Sequence, residues 1–276
     1  MICITFDNFG SAAGDSLPWP CPADVPPIEW AAYNRIGLEL GHPRILKLLE
    51  NLHIRCTYFA EGYAAILHPD EMRAWHAAGH EIAVHGWKHE HWPDIASREE
   101  EDRLVELAVT SIHSVTGERP IGFRPPALAI NPWTDDVLAA HGIRYVSQAL
   151  PVANVMSDAG TPDDGTKAAV VTRLDVLPTE PALIDGAVIH PRFGGIFGAL
   201  DAAAAYDELY RLAVAHETTR PDEPWVLVVH PFTSGNRAWF GFEDFMRRLA
   251  GEFGASRFAL AKDVASTTMR ASTGIR

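Results

Sequence analysis

Residues 81–91 read EIAVHGWKHEH, a short apolar run of strand type that ends in three histidines within seven positions. In a parallel α/β domain the loops after the strands share one face, so polar residues at a strand's carboxyl end are placed for chemistry. His85 and His89 are four residues apart. On a helix or a tight turn that spacing puts two imidazoles within reach of a single ion. The chain carries 13 histidines in 276 residues, so the pair alone is a weak signal. His91 reads as a rim or packing residue. Trp87 and Trp92 read either as walls of this loop or as side chains buried beneath it.

The same strand-then-helix grammar extends along the chain. Residues 2–6, 55–60, 81–85, 121–124, 144–148, 169–175 and 225–230 read as strands from their β-branched and apolar runs. Helices are expected at 43–52, where Ile45, Leu48, Leu49 and Leu52 form one stripe and Pro43 suits a first turn, and at 98–116, with Ser97 as N-cap. Residues 133–141, 201–216 and 242–251 complete the set. Such alternation means parallel strands covered by helices, in an open sheet or a barrel. Two stretches break the pattern. Residues 11–42 hold Pro18, Pro20, Pro22, Pro26 and Pro27 and read as a long loop, and residues 151–168 read as a second excursion. With no repeat and no linker, residues 1–276 are expected to form a single catalytic domain.

Composition limits the partners. Hydrophobic content of 47% and charged content of 21% are those of a globular chain. A formal net charge of −13 argues against nucleic acid and against an anionic membrane surface. The N-terminal residues MICITFDNFG offer no basic leader, and no apolar run is long enough to span a bilayer. Three cysteines without CxxC spacing fit reduced thiols in a cytoplasm, the expected location. The expected partner is a small-molecule substrate. Oligomeric state is left open, a homo-oligomer included.

Polar residues recur where strands end: Asp7 and Asn8, Glu61, His85 to His91, Arg124 and His230. A single histidine in such a place is more often structural than catalytic, but five strand ends furnished with acid–base or ligand groups form a pattern.

The ordered set TFDN (5–8), HGWKH (85–89), GFRPP (122–126) and VVHP (228–231) resembles the polysaccharide deacetylase family, carbohydrate esterase family 4, with its NodB homology domain. The HGW loop and FRPP are similar to the intracellular-type branch that includes allantoinase-like and cyclic-imide hydrolases. The resemblance implies an α/β fold, an irregular NodB-like (β/α) barrel of seven or eight strands, and hydrolysis of N-acyl groups at a divalent metal. On this resemblance Asp7 matches the general base, Arg124 the arginine that orients it, and His230 the general acid. His85 and His89 match the two histidine ligands. Asn8 stands where the family has a second aspartate, the third ligand.

That exchange replaces a full charge with an amide oxygen, so the implied Zn²⁺, or another divalent ion, is expected to be held less tightly. Glu61 reads either as an exposed loop carboxylate or as a substitute source of charge, direct or through a hydrogen bond. Trp133 reads as an apolar wall for substrate or as core, and His190, before a glycine-rich loop, as a group that reaches the cleft. Asp175 and Asp185 are alternative supports for His230. The expected reaction is metal-assisted hydrolysis of an N-acetyl group on a small soluble molecule, such as an amino sugar, nucleoside or secondary-metabolite intermediate. The alternatives are a metal-independent hydrolase of a cyclic amide and an inactive carbohydrate- or metabolite-binding homologue.

Overall fold

The computed structural model describes residues 1–10, 35–148, 174–180, 183–189 and 201–265. Seven strands form one sheet among these residues: β1 (Ile2–Asp7), β2 (Thr57–Ala60), β3 (Glu81–Val84), β4 (Gly122–Phe123), β5 (Tyr145–Gln148), β6 (Asp175–Pro178) and β7 (Trp225–Val229). Their order is β6-β5-β4-β3-β2-β1-β7, and every pairing is parallel. Ile184, shortly after β6, bridges Val228 of β7, so the chain leaving one edge of the sheet meets the other edge. The sheet is thereby a nearly closed barrel, as the sequence led us to expect.

Side chains alternate between two cores, as the two-residue period of a strand requires. Ile2, Ile4 and Phe6 of β1 join Tyr58, Val84, Phe123, Val146, Leu227 and Val229 in the layer between barrel and helices. Cys3, Phe59, Ala83, Tyr145, Leu177 and Val226 fill the barrel interior. A Cβ on Gly122 would lie 2.1 Å from the Tyr145 ring, so the glycine is what admits that tyrosine. Continuing each inward-facing series past Cys3, Ala83 and Val226 by steps of two arrives at Asp7, His85 and His230.

The helices that cover the barrel begin with α1 (His42–Leu52), which ends at His53 in the left-handed region, φ 56°. Two short helices, α2 (Ala64–Leu67) and α3 (Pro69–Ala77), follow β2. The sequence reading had none there, since a histidine and a proline interrupt the pattern. Helix α4 (Arg98–Thr116) is capped as expected, with the Ser97 hydroxyl accepting from the Glu100 N–H at 3.2 Å. Beyond it lie α5 (Thr134–Ala140), α6 (Asp185–Ile189), α7 (Ala202–Thr219) and α8 (Trp239–Phe253).

Two expectations are corrected. Residues 35–42 are helical rather than loop: a π-type turn over Gly37–Gly41 runs directly into α1. Its glycines serve close packing, because a Cβ on Gly41 would lie 2.5 Å from the Pro231 carbonyl oxygen. Of the strand expected at 169–175, residues 169–173 lie outside the described residues; the described strand starts at the last expected position and runs on as Asp175–Pro178. Its proline disguises it as a turn, tolerable because β6, among the described residues, is an edge strand paired with β5. Residues 11–34 and the excursion at 151–168 lie outside the described residues.

Candidate active site

Asp7 and Arg124 form the most enclosed pair in the barrel mouth. Arg124 is fully buried, and its Nη1 donates to Asp7 Oδ1 at 2.6 Å and to Thr5 Oγ1 at 2.8 Å. Its Nε and Nη2 both donate to Ser147 Oγ, at 3.1 and 2.9 Å, and its guanidinium lies 4.1 Å from the centre of the Phe59 ring. A buried charge persists only when paired and hydrogen-bonded in this way. Asp7 is therefore fixed through one oxygen. The other faces the His85 ring, 3.8 Å from Nε2.

The HGWKHE stretch is a tight turn rather than a helix. Gly86 and His89 both take left-handed backbone, φ 74° and 64°. The Glu90 carboxylate gathers the turn by accepting from the N–H groups of Trp87 and Lys88, each at 2.9 Å. The result sets the His85 and His89 rings edge to face, 4.9 Å apart. His85 Nδ1–H donates to the Arg124 carbonyl at 2.8 Å, which leaves its Nε2 lone pair free on the Asp7 side. His89 Nδ1 is buried without a hydrogen-bond partner. Burial lowers the pKa of both rings, so both are neutral imidazoles, the form that ligates metal.

His230 follows β7 and is held by Asp185, the first residue of α6. The His230 N–H donates to Asp185 Oδ2 at 2.8 Å, and its Nδ1 lies 2.6 Å from Asp185 Oδ1. Asp185 is fully buried and also accepts from the Ser234 hydroxyl. Burial opposes protonation of His230, but the charge and hydrogen bond of Asp185 outweigh it, and its pKa is raised. Asp7 adds to that rise, and His230 in turn depresses both His85 and His89, so these groups share one electrostatic neighbourhood. Between the two candidate supports, the structure selects Asp185. Asp175 begins the edge strand β6.

Glu61 is not an exposed carboxylate. It is fully buried, its Oε2 accepts from the Phe9 N–H at 2.7 Å, and its Oε1 has no partner. Burial pushes its pKa up to about 8, so near neutrality it is mostly the uncharged acid and not a ready source of negative charge. Trp87 packs half-buried against Tyr63, whereas Trp92 is fully buried against Phe123. Trp133 donates from Nε1 to Glu101 of α4 at 2.9 Å and rests on the main core. His190 lies outside the described residues. Sequence reasoning missed Thr5, Ser147 and Ser234, the hydroxyls that fix Arg124 and Asp185. For the first two, the inward-facing parity of β1 and β5 was the available signal.

Among the described residues no three His, Cys, Asp or Glu side chains converge as a metal site. Two neutral imidazoles, one with an orphaned nitrogen, nevertheless suit a borderline divalent ion such as Zn²⁺, and Asn8, buried at the end of β1, offers an amide oxygen of the kind such an ion accepts.

Comparison with known proteins agrees with the fold. The family model for polysaccharide deacetylase matches residues 36–146. A peptidoglycan deacetylase of Helicobacter pylori is 34% identical over 107 residues, 39% of this chain and 36% of that protein. The chain matches only about a third of the length of such curated relatives. A solved structure from Mycobacterium smegmatis, assigned to the polysaccharide deacetylases, superposes with a TM-score of 0.76 at 26% identity, covering 98% of this chain and 90% of that one. Puue allantoinase superposes with a TM-score of 0.72 at 20% identity, covering 100% of this chain and 91% of that one, and shares the fold. With its barrel, its motif order and these relatives, the chain is similar to the polysaccharide deacetylases, through the family model over residues 36–146 and through the fold.

Proposed function

We propose that this protein hydrolyses the N-acetyl group of an amino sugar, releasing acetate and a free amine. The observation that carries the reading is the meeting of a clamped carboxylate and an acid-supported imidazole around a neutral histidine pair. Peptidoglycan and chitin deacetylases among its relatives favour a sugar-borne acetamide. The net charge of −13 favours a small or uncharged substrate over an anionic polymer. Two buried free thiols, Cys3 and Cys56, favour a cytoplasmic setting.

Asn8, His85 and His89 are the residues that would hold a divalent ion, for which we propose Zn²⁺. When bound, such an ion supplies Lewis acidity toward the acyl oxygen and acidifies water. The remaining work belongs to the chain. Asp7, immobilised by Arg124 through Oδ1, uses its other oxygen to take a proton from the attacking water as the new C–O bond forms. His230, its Nδ1 proton held by Asp185, delivers the Nε2 proton to the departing nitrogen as the C–N bond breaks. The raised pKa of His230 keeps more of it protonated near neutrality than an ordinary histidine would be.

The test is acetate release from N-acetylglucosamine oligomers, peptidoglycan fragments and small N-acetyl amines, with added Zn²⁺ and after chelation. Activity that appears with metal and vanishes with chelator supports the proposal; undiminished turnover after complete metal removal refutes its metal part. Asn8 in the usual aspartate position favours a second reading, ring opening of a cyclic amide without metal. Mass spectrometry separates the two, because ring opening adds one water and releases no fragment.

A further inference from the structure

The loop after β1 is gripped at three points by groups that take no part in the proposed reaction. Asn8 takes left-handed backbone, φ 65°, which asparagine tolerates better than most residues. Its carbonyl accepts from the Tyr58 hydroxyl at 3.0 Å and from the Gly10 N–H at 3.1 Å. The N–H on the other side of the same peptide, that of Phe9, donates to Glu61 Oε2 at 2.7 Å. The Phe9 ring packs between His42 and Tyr58, with centroids 4.5 and 4.7 Å away.

The Tyr58 bond has a direction fixed by its neighbours. Trp75 Nε1 can only donate, so His42 Nδ1, 3.1 Å away, accepts. A neutral imidazole so bonded carries its proton on Nε2, which lies 2.9 Å from the Tyr58 oxygen and donates to it. The tyrosine proton is thereby turned toward the Asn8 carbonyl. All three relay side chains are buried, and burial holds His42 neutral, its pKa pushed down to about 3. Hydrogen bonds in such a chain polarise one another in one sense.

We infer that Tyr58, oriented by Trp75 and His42, and Glu61 are positioning residues: they clamp the Asn8–Phe9 peptide from both sides and thereby present Asp7 and Asn8 to the site. The clamp stands on its own geometry, while the roles of Asp7 and Asn8 rest on the proposed function. Glu61 acts here as a hydrogen-bond acceptor, not as a charge.

The experiment uses the full chain. Amide hydrogen exchange at Phe9 and Gly10 is measured without metal, and zinc affinity by calorimetry with Zn²⁺ alone. Tyr58→Phe keeps the ring and removes the donor. It should speed exchange at Phe9 and Gly10 at least about tenfold, leave Val84 of β3 unchanged, and weaken zinc binding about 10- to 100-fold. On an acetylated oligosaccharide its kcat should fall with little change in KM. Glu61→Gln retains an acceptor oxygen and should match the wild type in both measurements, whereas Glu61→Ala should resemble Tyr58→Phe. Unchanged exchange in Tyr58→Phe overturns the clamp, as does a Glu61→Gln variant as impaired as Glu61→Ala. Faster exchange with unaltered zinc affinity and kcat overturns the positioning role. A wild-type chain that binds no zinc counts against the metal reading above, and exchange then decides the clamp alone.

Discussion

Glu81 at the amino end of the barrel and the pair Asp7 and Glu61 at the carboxyl end are buried carboxylates used in opposite ways. At the amino end, Glu81 opens β3 and every side of its carboxylate is used. Oε2 accepts from Thr57 Oγ1 at 2.7 Å and from the Lys262 N–H at 3.1 Å, and Oε1 accepts from the Tyr145 hydroxyl at 2.9 Å. At the carboxyl end, Asp7 spends one oxygen on Arg124, Glu61 has an oxygen without a partner, and the Nδ1 nitrogen of His89 has none either. Buried polar atoms are nearly always satisfied, so the satisfied end reads as stabilising and the unsatisfied end as awaiting ligand. The same fold carries both, on neighbouring strands.

Substitutions at the carboxyl end should give the largest effects on turnover. Asp7→Asn removes the proton acceptor while keeping size and shape. Its kcat should fall on the order of 10³-fold or more, and its melting temperature should fall as well, because the fully buried Arg124 loses its carboxylate partner. His230→Ala should lower kcat likewise. Rates of acetate release and calorimetric melting curves check both, and a fully active Asp7→Asn protein would break the contrast between the two ends.

A smaller effect is expected at Asp185, which acts through His230. Because the folded pKa of His230 is raised, its protonated form persists to higher pH than that of a free imidazole. Activity that depends on that proton should decline only as pH rises through the raised value. The stability it contributes is likewise complete below the ordinary imidazole pKa and lost as pH rises through the folded one. Asp185→Asn removes the charge that raises it. The basic limb of kcat/KM should move to lower pH, and turnover near neutrality should drop about 10²-fold. A limb that stays in place would show that Asp185 serves structure alone.

Much of this division was legible in the sequence, for a reason the strands make plain. Cys3, Thr5 and Asp7 share one parity, as do Glu81, Ala83 and His85, so a polar residue one step beyond an inward apolar series already pointed into the mouth. Arg124 and His230 obeyed the same rule. What stayed hidden depends on three-dimensional closure. Nothing local to Glu61 says that it turns onto the Phe9 amide rather than into water. Asp185 was indistinguishable from Asp175 until the chain after β6 crossed to β7 and set it beside His230. The helical lead-in at 35–41 was hidden by its glycines, which read as loop until the backbone of 231–235 is packed against them.

The smallest effect on chemistry, and a measurable one on stability, belongs to Glu81. Replacing it with alanine strands the Thr57 hydroxyl, the Tyr145 hydroxyl and the Lys262 amide in the barrel floor. Leaving buried donors unpaired should cost about 2–3 kcal/mol in denaturant unfolding, with kcat within about twofold of the parent. Glu81→Gln keeps one acceptor oxygen for Thr57 and Lys262, and the Tyr145 hydroxyl can accept from the new amide. Burial raises the pKa of Glu81, so the stability it contributes declines as pH climbs from the unfolded carboxyl value through the folded one. The glutamine variant lacks that titration and should flatten this part of the pH–stability curve. A Glu81→Ala protein that keeps its stability but loses turnover would reverse the assignment of the two ends, since the satisfied carboxylate would then be serving the chemistry.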